Sequence, residues 1–160
     1  MAAPARGNTG HSCYFITAST FQKQSLFQTG RMALLFLQVL QNYRQQASYR
    51  LHEFVVMPNH FHLLITPLLT LERSLQLIKG GFSHRARKQL GFSGEVWQPS
   101  YHDRRVRDLD EYWGYREYIH QNPVVRGLVQ KAQEYPYSSA LPGAEVDGLP
   151  QRLKPHSLSA

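Results

Sequence analysis

Met57-Pro58-Asn59-His60-Phe61-His62-Leu63-Leu64-Ile65-Thr66-Pro67 decides how the rest of the chain is read. Pro58-Asn59 is a turn signal, and Pro67 stops the run that follows. Side chains of an extended segment alternate between faces. Phe61, Leu63 and Ile65 therefore point one way, and His60 and His62 the other. Tyr49–Met57, before the turn, is strand-like, with Val55 and Val56 at its centre. Two strands this close must pair as an antiparallel hairpin.

Working outward, His11–Phe21 contains Cys13-Tyr14-Phe15-Ile16-Thr17, whose β-branched and aromatic content reads as a strand. After a break at Gln28-Thr29-Gly30, Arg31–Gln46 carries Leu34, Leu35, Leu37, Val39 and Leu40 in a helical pattern. Thr70 is an N-cap for a helix running to about Leu90 despite Gly80-Gly81, and Gly91 sits where a C-terminal cap would. Val96–Val106 is a polar fourth strand suited to an edge. Asp108 caps a last helix from Leu109 to about Asn122, where Pro123 disfavours helical geometry. The order β-α-β-β-α-β plus a C-terminal helix predicts an α+β, ferredoxin-like (split βαβ) antiparallel sheet. Helices are expected on one face, leaving the other open for a ligand.

The chain has 160 residues, enough for one domain, and its 42% hydrophobic content supports a core. Residues 11–140 are expected to form that domain. Residues 1–10, rich in Ala, Pro and Gly, are expected to be a disordered leader without secretory-signal character. Residues 141–160 hold three of nine prolines and are expected to be a mobile tail. No run is long and apolar enough for a membrane helix. The single cysteine, Cys13, excludes an intrachain disulfide framework and a cysteine-built zinc site; it reads as a small buried hydrophobe. An intracellular, cytoplasmic location is the expectation. Net charge is +7, which favours a polyanionic partner. Between Arg73 and Arg107 stand eight basic residues against two acidic ones, whereas Leu51–Thr70 has no Lys or Arg.

Two clusters carry chemistry. Same-face positions two apart in a strand lie ~7 Å from each other, so His60 and His62 can converge on one divalent cation. The competing reading is a pair of surface histidines. In Tyr118-Ile119-His120-Gln121-Asn122-Pro123-Val124, Tyr118 and Asn122 share a helix face. A phenol can act as a nucleophile when a cation or base assists it, and an amide oxygen can ligate a metal. The competing reading is a packed aromatic helix of Tyr112, Trp113, Tyr115 and Tyr118.

Taken together, Met57–Ile65, Trp97-Gln98-Pro99-Ser100-Tyr101-His102-Asp103-Arg104, Tyr118–Val124 and Gly127-Leu128 occur in the order found in the IS200-like tyrosine transposases. The chain resembles their REP-associated branch over about residues 11–140. The resemblance implies a metal-dependent single-stranded DNA endonuclease and strand transferase acting on hairpin-forming repeat DNA. It further implies that His60, His62 and Asn122 hold Mg²⁺ or Mn²⁺, and that Tyr118 forms a 5′-phosphotyrosine. The IS200 elements proper usually have Gln at the position of Asn122; Gln121 is the neighbouring candidate. Because the phosphotyrosine conserves the phosphodiester bond, no nucleotide cofactor is needed, and no Gly-x4-Gly-Lys-Ser/Thr loop is present. A bacterial, nucleoid-associated protein is implied, as a monomer or homodimer.

Other residues fall around this site. His102, Asp103 and Gln121 are candidates for orienting a ligand or contacting DNA. Tyr115 is the rival nucleophile, but its i+4 partner is Ile119. His120 points away from Tyr118 and reads as structural. Arg85, Arg87, Lys88, Arg104, Arg105 and Arg107 are candidates for phosphate contacts. Phe82, Phe92, Trp97 and Tyr101 either stack on unpaired bases or fill the core. Two other functions compete: a replication- or relaxase-type nickase, for which a helicase would need more chain, and a non-catalytic nucleic-acid binder, which lacks an RNA-recognition signature here.

Overall fold

Strands β1 (Cys13–Ser19), β2 (Tyr49–Met57), β3 (His60–Pro67) and β4 (His102–Val106) form one antiparallel sheet in the order β2-β3-β1-β4. The structure is a computed structural model that describes residues 11–153. Helices α1 (Gly30–Gln45) and α2 (Leu71–Leu90) connect the strands as a ferredoxin-like split βαβ requires, and α3 (Leu109–Val125) follows β4. The caps read from the sequence are in place: Thr70 Oγ1 accepts from Arg73 N and Asp108 Oδ1 from Glu111 N. Gly91 closes α2 in the left-handed region at φ 67°. At Gly81 a Cβ would meet the Tyr43 ring at 2.9 Å, so the glycine lets α2 pass close to α1.

The alternation of β3 divides the interior in two. Phe61, Leu63 and Ile65 join Ile16, Phe36, Leu75, Ile78 and Phe82 in the core between the sheet and α1/α2. Trp97 packs against Phe27, Phe36, Phe61 and Phe82 and donates from Nε1 to Lys79 O, so it fills this core. On the opposite face Leu64 joins Cys13, Val55, Met57, Tyr112, Ile119 and Tyr135. As the split βαβ order predicts, α1 and α2 share one face, and the additional C-terminal helix α3 covers part of the other. The amphipathic character of α3 is weak because polar anchors supplement its apolar contacts. Glu53, 8% exposed on β2, receives Arg116 Nε at 3.1 Å and His120 Nε2 at 2.6 Å, both from α3, and Ser139 Oγ at 2.7 Å. Burial alone would raise the Glu53 carboxyl, but these hydrogen bonds and charges hold it below its ordinary range.

Two expectations are corrected. The fourth strand is shorter than residues 96–106: Val96 and Trp97 form a core-packed crossing, bridged to Thr20, and regular pairing starts at His102. The region from 141 to 153 is not a mobile tail. The chain after α3 runs along the free edge of β2, with Val56 N donating to Tyr137 O, Ser139 N to Phe54 O and Asp147 N to Leu51 O. Covering an edge in this way removes unpaired backbone groups. Asp147 also takes a two-pronged Arg44 contact at 3.1 and 3.2 Å, and Leu153 is buried. The composition hid this because polar and backbone bonds, not large apolar side chains, do the anchoring. The expected leader at residues 1–10 and the last seven residues lie outside the described residues.

Glu53→Ala should lower the unfolding free energy by about 2 kcal/mol, since it strands Arg116 and His120 at the sheet surface. Urea denaturation of the variant against wild type measures this.

Candidate active site

β3 delivers His60 and His62 to the α3 side of the sheet with their rings 4.9 Å apart. Each ring is fixed through Nδ1. Asn59 Oδ1 accepts from His60 Nδ1 at 2.8 Å, which leaves a lone pair on His60 Nε2. His62 Nδ1 is hydrogen-bonded to Thr17 Oγ1 at 2.9 Å, across the β1–β3 pair that sets Thr17 opposite His62. His62 Nε2 is buried and has no hydrogen-bond partner. The Phe15 ring stacks on His62 at 5.3 Å and holds its plane.

Tyr118 on α3 meets this pair. Its ring lies edge-on to His62 at 5.2 Å, and the side chain is 50% exposed. Thr17, Ser19, Lys23, Asn59, His60, His62, Tyr118 and Arg126 line one cleft of about 230 Å³. Asn122 lies between Tyr118 and Arg126 at helical spacing, buried, with its Nδ2 unpartnered. α3 passes through Pro123 without ending: Arg126 N donates to Asn122 O, and the helix reaches Val125. That continuation carries Arg126 to the cleft.

The electrostatics keep both imidazoles neutral. Burial, with Arg126 and Lys23 nearby, pushes His60 down to about 4. Burial, with His60 and Arg126 nearby, pushes His62 down to about 3. Neutral imidazoles with anchored Nδ1 atoms and an orphaned Nε2 are the donor chemistry a divalent cation needs. Among the described residues no group of three or more His, Cys, Asp or Glu is present. The cleft itself therefore offers two imidazoles; Asn122, buried on α3, is not among its lining residues and is the remaining candidate donor, and two imidazoles with an amide fit Mn²⁺ better than Mg²⁺.

The remaining candidates are distributed unevenly. His102 pairs with Thr17 and so shares the histidine face, but it is exposed and outside the cleft lining. Asp103 pairs with Ile16 and therefore faces the α1/α2 side, away from the histidines. Gln121 is half-buried on α3 and does not line the cleft. His120 is bound to Glu53, in keeping with a structural part. Tyr115 stacks on Phe15 at 4.4 Å, one turn before Tyr118. The six basic candidates do not form one surface around the cleft. Arg85, Arg87 and Lys88 ride on α2, across the sheet, and Arg87 donates to Gly94 O. Arg104 pairs with Phe15 on the cleft-side face of the edge strand, while Arg105 and Arg107 line a hollow with Arg152 near the start of β1.

Lys23 and Arg126 were not among the residues singled out from the sequence. Arg126 is eight positions beyond Tyr118, and the helix-breaking reading of Pro123 masked that spacing. Lys23 sits in a turn where it and Gln22 both occupy the left-handed region, at φ 54° and 52°. Non-glycine residues pay strain for that conformation.

Residues 11–122 match the profile of the family described as Transposase IS200 like. A REP-associated tyrosine transposase of Escherichia coli is 25% identical over 129 residues, covering 79% of this chain and 74% of that protein. An uncharacterized protein of Haemophilus influenzae is 30% identical over 145 residues, covering 70% of this chain and 80% of its own. The fold matches a solved REP-associated tyrosine transposase bound to a REP hairpin with a TM-score of 0.71, at 22% identity, over 86% of this chain and 82% of that one. No helix among the described residues is long and apolar enough to cross a membrane.

Because both histidines titrate below the ordinary value of 6.5, the unfolded chain takes up protons first as pH falls. Their contribution is therefore complete above about pH 6.5 and is lost as pH drops toward 4. His62→Gln should flatten the acid limb of the Tm-against-pH curve recorded in EDTA.

Proposed function

The chain belongs to the IS200-like transposase family, and from that premise we propose that it cuts and rejoins single-stranded DNA beside a hairpin, through a covalent link to Tyr118. One observation carries this reading: Tyr118 and the two neutral, anchored histidines line the same cleft with two cationic side chains. Nothing in a packed aromatic helix requires that company.

The residues divide the work as follows. Arg126 and Lys23 draw the anionic phosphodiester into the cleft and offset its charge. The Tyr118 oxygen attacks phosphorus and the bond from phosphorus to the 3′ oxygen breaks. The phenolic proton leaves to solvent, and the departing 3′ oxygen takes up a proton to become a hydroxyl. The DNA is left joined to Tyr118 through its 5′ phosphate. Attack by another 3′-hydroxyl reverses the step and rejoins DNA, so no nucleotide is consumed. His60 and His62, with Asn122 as the third protein ligand, would hold Mg²⁺ or Mn²⁺. Such a cation supplies charge stabilisation at the phosphate oxygens. Thr17 and Asn59 keep the imidazoles oriented for that task.

The half-exposed phenol suits a nucleophile that must reach a macromolecular substrate. Arg104, Arg105 and Arg107, along and after the β4 edge, are placed to take phosphates of the hairpin stem; Arg85, Arg87 and Lys88 stand on the far layer and are reached only by DNA that wraps the edge.

Tyr118→Phe should bind a hairpin oligonucleotide as wild type does yet form no adduct with Mn²⁺, as read by denaturing gel. His60→Ala, His62→Ala or EDTA should abolish cleavage. Arg126→Ala should slow cleavage by about 100–1,000-fold, the range expected for loss of one charge-stabilising donor. Cleavage that persists in EDTA would overturn the reading.

A further inference from the structure

Tyr118 is a wall shared by two unlike spaces. One is the polar cleft with His60, His62, Lys23 and Arg126. The other is an apolar hollow of about 420 Å³, lined by Phe15, Glu111, Gly114, Tyr115 and Tyr118. Phe15 and Tyr115 are stacked at 4.4 Å with their planes 15° apart, and Tyr118 meets Phe15 edge-on at 6.0 Å. The Phe15–Tyr115 stack is thus a rigid aromatic side to the hollow. A Cβ at Gly114 would meet nothing within 4 Å, so the space above that residue is open.

We infer that this hollow receives one unpaired nucleobase of the nucleotide whose phosphate enters the cleft. The inference rests on the proposed function and deepens it by assigning a base-binding subsite. The argument for a base, and not another apolar occupant, is continuity. A phosphate in the cleft and a base in the hollow are joined by a single sugar, and one tyrosine ring is common to the two spaces. Aromatic faces stack on every base, so such a subsite positions the strand without reading an identity. Glu111 at the rim is already committed to Arg107, accepting from its backbone N at 2.9 Å and pairing with its guanidinium at 3.5 Å. Its carboxylate is thus partly neutralised at the rim of the hollow. The consequence is that the scissile linkage is held in both spaces that the nucleophile lines, by charge in one and by stacking in the other.

Gly114→Leu tests this, because it fills the hollow and leaves the cleft residues unchanged. Hairpin oligonucleotides with an unpaired flank are prepared with 2-aminopurine, or an abasic site, at each flank position in turn. With Tyr118→Phe protein, 2-aminopurine at one position bordering the cut should be quenched several-fold. Adding Gly114→Leu should remove that quench and weaken binding about tenfold, the scale of one lost stacking contact. Binding of the oligonucleotide that is abasic there should be unaffected. Equal weakening of both oligonucleotides, or no quench at any flank position while wild type forms its adduct, would overturn the subsite alone. A quench without any wild-type adduct would keep the subsite and overturn the catalytic reading. Self-association of wild type that Gly114→Leu abolishes, with DNA binding unchanged, would assign the hollow to a second copy instead.

Discussion

Strict alternation along β3 is the constraint on which the site depends. All eight of its residues are buried, so neither face can slip. A register shift by one residue would move Phe61, Leu63 and Ile65 out of the α1/α2 core and force two imidazoles into it. The cost of that exchange, several buried apolar side chains at about 1.5–3 kcal/mol each, fixes the direction of the histidines more firmly than any bond they make themselves. Their hydrogen bonds to Asn59 and Thr17 then set ring orientation. Function here borrows the stability of a core on the opposite side of the sheet.

The second half of the site is held by different physics. α3 has a narrow apolar face, and its seat on the sheet comes from Tyr112 and Ile119 together with the buried Glu53 that binds both Arg116 and His120. An ion-paired anchor specifies one position where a purely apolar contact would allow sliding. Position matters because Tyr118, Asn122 and Arg126 succeed one another at intervals of one turn. A shift of the helix by one turn would put Asn122 where Tyr118 now meets His62.

Much of this was legible in the sequence, and for identifiable reasons. Alternation, the Pro58-Asn59 turn and the caps at Thr70, Asp108 and Gly91 are local signals, so the hairpin, the element order and the ends of α2 followed from them. The pairing of the two histidines with Tyr118 followed from the family resemblance, not from spacing. What was not legible depends on distant partners. Asp103 reads as a neighbour of His102, yet its pairing with Ile16 turns it to the other face. The segment from 141 to 153 has the composition of a tail because its anchors are Asp147, a few backbone groups and one leucine. Arg126 was hidden by Pro123, yet α3 continues through Asn122 and Pro123, both buried, to Val125.

The central claim is that one particular phenol becomes bonded to DNA. Tryptic mapping by mass spectrometry, after incubating the wild-type chain with a hairpin oligonucleotide and Mn²⁺, tests it most directly. The account predicts a nucleotide remnant on the peptide that contains Tyr118, with fragment ions assigning it to that side chain. A remnant on Tyr115, or complete cleavage of the oligonucleotide with every tyrosine unmodified at all times sampled, would contradict it.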